Sequence, residues 1–191
     1  MDGEINIRPA RPDDAAAMAA WHEEAFHGLL SARLGRKYLE YHYSGLISSP
    51  AGACFVAERA GAMCGFIGGS CAPRAGAAVS VRRLFSLAAA LFSGRIGIRE
   101  LPALLRYKRW FSRVKLPAEL ESLLVARQSR GRGTGKKLME ALDGFFRARG
   151  VTRYCVFNNT SLNTVKFYLR LGFKQTGEYD HGGHRTVCLI K

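Results

Sequence analysis

The chain contains no apolar run approaching the ~18 residues that a membrane span requires. Its opening, MDGEINIRPA, has neither a positively charged lead nor an apolar core, so a cytoplasmic protein without a secretion signal is expected. Five cysteines (Cys54, Cys64, Cys71, Cys155 and Cys188) form no CxxC pair and stand at no spacing from histidine that builds a zinc site. Reduced thiols and no metal are therefore expected. The histidines His22, His27, His42, His181 and His184 show no ligand spacing, and none is assigned a role. Internal repeats and low-complexity linkers are missing, and 191 residues suit one domain with a real core. Acidic residues are few: 15 Asp and Glu stand against 29 Lys and Arg, a formal charge of +14. Such an excess favours polyanionic partners, whether nucleic acid, anionic membrane or phosphorylated small molecules.

Apolar periodicity orders the chain. Residues Ile5 to Ala10 alternate as a strand, and Pro12, Asp13 and Asp14 supply helix-start chemistry for Ala16 to Phe26. A second helix is expected over Leu34 to Ile47. The runs Ala53 to Glu58 and Met63 to Ser70, joined by RAGA, read as a hairpin whose Gly65, Gly68 and Gly69 hint at a bulge. Arg74 to Pro117 reads as a basic helical insertion carrying LFSLAAALF and LPALLRYKRWF. A strand at Ala118 to Ala126 follows, then QSRGRGTGKK, then a helix with Leu138, Leu142, Phe145 and Phe146 at helical spacing and Gly150 as its C-terminal cap. TRYCVFNNT is a strand. SLNTVKFYLRLGF is a helix with Leu162, Val165 and Leu169 on one face, and two strands flank DHGGH at the end.

The glycine loop sits between a strand and a helix, where backbone amides and the helix dipole converge on an anion. Arg130 and Lys137 stand where a P-loop needs Gly and Ser or Thr, and Lys136 takes the third glycine position of the dinucleotide fingerprint. What fits is Gln128, two residues, Gly131, one residue, Gly133, followed by Gly135 and an amphipathic helix. This resembles the acetyl-CoA signature of the GNAT superfamily of acyl-CoA N-acyltransferases. Downstream, Phe167, Tyr168, Gly172 and Phe173 are similar to that family's last helix, and the IRPARPDD opening and ACFVAERAGAMCGFIGG hairpin resemble its first elements. The resemblance covers most of the chain except Arg74 to Pro117. It implies one N-acetyltransferase domain over 1–191 with an insertion at 74–117. The implied fold is α/β in the α+β sense: a mixed, mostly antiparallel sheet of about seven strands, splayed at the acetyl-CoA site and flanked by helices.

The resemblance also implies site residues. The pyrophosphate of acetyl-CoA would meet the amides of Arg130, Gly131, Arg132, Gly133, Thr134, Gly135 and Lys136, with Gln128 in the signature. The pantetheine arm would add to the strand at Leu123, Leu124 and Val125. Asn158, Asn159 and Asn163 surround the last helix where the family often has a pantetheine-binding Asn; Asn159 is the candidate, although Ser161 occupies that position by count. Tyr168 matches the family's general acid. Glu119 and Glu121 are candidates for the base, and period-two alternation puts both on the face shared with Leu123 and Val125.

The activity so implied is transfer of an acetyl group from acetyl-CoA to a primary amine of an unidentified acceptor, a small-molecule amine first and protein amino termini or lysines left open, by direct attack in a ternary complex. The positive charge suits an amino group on a phosphorylated or nucleotide-linked sugar, with the cations of the insertion, Arg106 and Arg109 among them, lining the acceptor cleft. The alternative class is a basic nucleic-acid-binding or peripheral membrane protein using residues 82–115, where aromatics interleave with cations. No recognised nucleic-acid motif accompanies that segment. The sequence does not identify the acceptor or an oligomeric state.

Overall fold

The computed structural model describes residues 4–71, 81–162, 164–181 and 184–191. The expected start of the insertion at Arg74, the residue Asn163 and the two glycines of DHGGH lie outside them. Seven strands form one sheet: β1 (Asn6–Pro9), β2 (Gly52–Arg59), β3 (Ala62–Ser70), β4 (Glu119–Val125), β5 (Cys155–Asn159), β6 (Lys174–His181) and β7 (His184–Ile190). Their order is β1-β2-β3-β4-β5-β7-β6, and every pairing is antiparallel except β4 with β5.

Helices cover both faces of this sheet. On one face lie α1 (Asp14–Ala25), the short α2 (Leu30–Arg33) and α3 (Arg36–Ser48). Met18, Leu39, Tyr43 and Leu46 pack there against Cys54, Val56 and Phe66 of the sheet. On the other face, α6 (Thr134–Arg147) buries Leu138, Met139, Leu142 and Phe146 against Ile67, Leu120 and Val156. Each such side chain removed from water contributes ~1.5–3 kcal/mol before chain entropy is counted. The short α7 (Val165–Arg170) closes this layer with Tyr168. Leu169 was expected on its apolar face but is exposed. The inward stripe runs through Val165, Tyr168 and Leu171, spaced three residues apart, which leaves Leu169 on the outer side.

The insertion is helical, as expected, in α4 (Val81–Phe92) and α5 (Leu101–Phe111). Aromatic residues dock α5 on the sheet: the Phe111 ring lies 3.8 Å from that of Phe157, and Trp110 stacks on Tyr179 at 5.4 Å. Arg33 ties the insertion to α2 through both oxygens of Glu100, at 2.7 and 2.8 Å, and through the carbonyl of Arg95 at 2.7 Å. The docking surface of α5 is thus apolar, and Arg106 and Arg109 point to solvent.

A polar connection joins the first three helices. His22 is buried, with Nδ1 2.6 Å from the Tyr43 hydroxyl and Nε2 2.9 Å from the Ser31 hydroxyl. Burial, and secondarily the neighbouring His42, lower its pKa from 6.5 to about 4. An unfolded chain therefore binds a proton at this residue that the folded chain refuses between those values. Stability is greatest above the unfolded pKa and falls as the pH drops toward 4, by about 2 kcal/mol at about pH 5. In denaturant titrations, His22→Asn should flatten the slope of stability between about pH 7 and pH 5. An unchanged slope would mean that His22 does not control it.

Candidate active site

The strands β4 and β5 run parallel for only two register positions, Glu119 opposite Cys155 and Leu120 opposite Val156. Beyond them β4 continues on β3 to Val125 while β5 continues on β7 to Asn159, so the sheet opens into a wedge. Along Glu121 to Val125 no pairing with β5 exists among the described residues, and one edge of backbone polar groups faces the gap. The wedge is the middle of a continuous cleft of about 2010 Å³, running from α2 and α3 past the β4–β5 opening to the loop before α6.

A bulge at the mouth of the wedge decides where the carboxylates point. Gly68 pairs with Ser122 and Gly69 with Leu120, which leaves Glu121 as an extra residue on β4. The bulged strand closes on β3 because two residues there lack side chains. A Cβ at Gly69 would stand 2.8 Å from the Glu119 carbonyl oxygen and 3.1 Å from the Phe146 ring, and one at Gly68 would stand 3.2 Å from Ser122 Oγ. The glycine pair thus marks the bulge that the sequence hinted at. The bulge corrects the strand alternation. Ala118 and Leu120, then Leu123 and Val125, pack toward α6, whereas Glu119 and Glu121 share the opposite face, toward α3. Both are nearly buried. Glu121 Oε1 accepts a 2.7 Å hydrogen bond from the Ser70 hydroxyl, and its Oε2 lies 3.3 Å from Nε2 of His42 on α3. The contacts with Ser70 and His42 were missed in the sequence, because 51 residues separate Ser70 from Glu121 and nothing local signals the pairing.

At the far end of the wedge, β4 passes through a 3-10 turn (Arg127–Ser129) into the loop. Gly131 and Gly133 have φ of +71° and +79°, the left-handed region that costs a side-chain-bearing residue about 1–2 kcal/mol. A Cβ at either would meet no heavy atom within 4 Å. The loop is held by a buried Thr134, whose hydroxyl donates to the Ser129 carbonyl at 2.9 Å. Gly133, the cap of α6, offers no side-chain acceptor, so the first-turn amides of Thr134, Gly135 and Lys136 begin the helix without a side-chain cap. Gly135 lets α6 approach α7: a Cβ there would stand 3.2 Å from the Phe167 ring. Arg130 folds back, its Nε donating to the Val125 carbonyl at 3.0 Å.

The cleft thus gathers Glu119, Glu121, Leu123, Leu124, Val125, Arg130, Gly131, Gly133, Thr134, Gly135, Lys136, Asn159 and Tyr168. The exposed Gln128 and Arg132 are absent from its lining; the turn at Arg127–Ser129 carries Gln128 outward. Arg106 and Arg109 are absent from it too, because α5 turns its aromatic side inward. Asn159 caps the turn after β5, its Oδ1 accepting from the Ser161 amide and hydroxyl at 3.0 and 2.7 Å. Asn158 likewise accepts from the Thr164 hydroxyl at 2.6 Å. Tyr168 is only 4% exposed, edge-on to the rings of Phe167 and Phe173, and burial raises its pKa above the ordinary tyrosine value.

The model of the Acetyltransferase (GNAT) family matches residues 15–173. The chain belongs to the GNAT acetyltransferase family. It is therefore an acyltransferase, and family membership replaces the alternative of a basic nucleic-acid-binding or peripheral membrane protein. Among known structures, a ribosomal-protein-alanine N-acetyltransferase from Brucella melitensis shares the fold at a TM-score of 0.61 and 19% identity, over 97% of this chain and 98% of that one. A putative acetyltransferase from Salmonella typhimurium, solved with its cofactor acetyl-CoA, does so at 0.61 and 16%, over 98% and 93%. Mouse N-alpha-acetyltransferase 80 is 46% identical over 59 residues, 31% of this chain, and that match spans only 18% of the mouse protein. No helix among the described residues is long and apolar enough to cross a membrane.

The open space over the loop gives a direct test. Gly133→Val forces a branched residue into the left-handed region and fills the space above it, so the dissociation constant for acetyl-CoA should rise at least about tenfold, or about 1.4 kcal/mol. Titration calorimetry on a variant with native melting behaviour that shows unchanged affinity would remove the loop from the site.

Proposed function

We propose that the protein transfers an acetyl group from acetyl-CoA to a primary amine by direct attack in a ternary complex. The observation that carries this reading is the wedge between β4 and β5, with an unpaired strand edge along it and a left-handed glycine loop at its end. The edge of Leu123 to Val125 suits the amide groups of a pantetheine arm, as an added strand would. The loop amides suit a pyrophosphate, because no side chain fills the space above Gly131 and Gly133.

The amine nitrogen attacks the thioester carbonyl, the C–N bond forms, and the C–S bond breaks to release a thiolate. A base must first take the proton of the acceptor ammonium, and Glu119 and Glu121 are the carboxylates at the wedge. Tyr168 supplies the proton to the thiolate. Burial makes the Tyr168 phenol a weaker acid than an ordinary tyrosine. The raised pKa also keeps the phenol protonated throughout the neutral range.

The acceptor is the amine of a small molecule or a protein. A phosphorylated or nucleotide-linked amino sugar was suggested by net charge, yet Arg106 and Arg109 lie outside the cleft and that support weakens. The acceptor end instead presents aromatic walls from Tyr38, Tyr107 and Phe111 above the two carboxylates, surroundings that favour a cationic amine. A panel of amines incubated with acetyl-CoA, read as released thiol, identifies it. With the best acceptor, Tyr168→Phe should leave acetyl-CoA affinity intact and lower turnover ~10–1000-fold. Because the phenol pKa is raised, the wild-type rate should show no alkaline loss from Tyr168 up to about pH 10. Equal turnover in both proteins would return Tyr168 to packing.

A further inference from the structure

We infer that His42 is a further catalytic residue, forming with Glu121 the base that takes the proton from the acceptor ammonium. The inference rests on the acetyltransfer reading above and names a group in that site. Three observations support it.

The first is the contact itself: His42 Nε2 stands 3.3 Å from Glu121 Oε2, while the other carboxylate oxygen is held at 2.7 Å by Ser70. Both oxygens of Glu121 therefore have partners, and a proton placed on either would oppose the partner already donating to it. A proton placed on the imidazole instead creates an imidazolium beside a carboxylate and keeps both contacts. The second is access. The Glu121 side chain is 8% exposed and that of His42 is 28% exposed, so the imidazole is the member of the pair that solvent and an acceptor reach. The third is chemistry: a free carboxylate titrates near ~4 and imidazole near ~6.5, so imidazole is the better match to an alkylammonium.

The pair is firmly placed. His42 stacks on Tyr38 at 6.2 Å between ring centroids and meets Tyr43 edge-on at 5.3 Å. Across from it, β3 contributes Ser70 and β4 contributes Glu121, with Glu119 on the same face of β4. Among the other titratable neighbours, His22 on α1 is held neutral by burial, and burial likewise keeps the Tyr43 phenol and the Cys54 thiol protonated, so none adds charge. With Nε2 turned to Glu121, the imidazole is the member of the pair that takes up the ammonium proton. The ammonium proton passes to the imidazole and takes the pair from a net charge of −1 to zero. The freed lone pair attacks the thioester carbonyl; the C–N bond forms and the C–S bond breaks. As the amide forms, Tyr168 gives its proton to the thiolate and is restored by the second proton that the nitrogen loses, and His42 returns its proton to solvent.

The test compares two small probes of nearly equal size, ethylamine and 2,2,2-trifluoroethylamine, with acetyl-CoA at about pH 7. Ethylamine is an ammonium there and needs a base. Trifluoroethylamine is largely neutral and does not. His42→Gln should lower thiol release with ethylamine ~10–100-fold and leave that with trifluoroethylamine within about twofold, and Glu121→Gln should show the same split. The same protein sample serves both amines, so a folding defect would lower both together. Equal loss with both amines, or no loss with either, overturns the base assignment and leaves acetyltransfer standing. If the wild-type protein binds acetyl-CoA but releases no thiol with these amines or with any small-molecule or peptide amine of the panel, the acetyltransfer reading fails and the base assignment with it.

Discussion

The separation of β4 from β5 after Leu120 and Val156 is the constraint on which the site depends. A parallel pair that stayed in register to Val125 would satisfy every backbone group and leave no gap in the middle of the sheet. Because the strands part, one strand edge is left without β5 and, apart from the Val125 carbonyl taken by Arg130, open to a ligand, and the cost is borne by packing elsewhere. That packing comes from both sides: α6 presses Leu138, Leu142 and Phe146 onto one face, and α3 presses Leu39 and Tyr43 onto the other. The aromatic anchor of α5 on Phe157 and Tyr179 holds the β5 side of the opening.

The bulge at Glu121 belongs to the same device. Adding one residue to β4 just where β5 leaves turns a carboxylate out of the alternation and toward α3. Without the extra residue, the apolar set at Leu123 and Val125 and the carboxylate set would compete for one face. With it, the wedge has an apolar floor on the α6 side and a polar wall of Glu119, Glu121, Ser70 and His42 on the other. The glycines of β3 make this sterically feasible, since a side chain at Gly69 would strike the backbone of β4. Fold and chemistry are thereby coupled at three consecutive residues of two strands.

Much of this was legible in the sequence where the physics is local. A glycine loop between a strand and an amphipathic helix, a hairpin with weak-strand glycines and a phenylalanine–tyrosine pair before a terminal glycine are short-range patterns, and each lies where expected. Failures came where register or distant contacts decide. Strict alternation mis-assigned the face of Glu119 and Glu121, because one inserted residue reverses it. Helical periodicity placed Leu169 inward, whereas the packed stripe runs through Val165, Tyr168 and Leu171. Net charge suggested a cationic cleft, yet the aromatic side of α5 decides what faces inward. His42 gave no signal of its own, since its partner lies on another element, brought near only by the folded sheet.

The most direct test of the account is amide hydrogen exchange, with and without saturating acetyl-CoA. Exchange should slow at Leu123 and Val125 on the edge that β5 leaves, and in the glycine loop and first turn of α6 at Gly131 and Gly133 to Lys136, because the ligand would bond to amides there. Slowed exchange confined to other segments, with both of these stretches unchanged in a protein shown to bind acetyl-CoA, would contradict the claim that the wedge is the binding site.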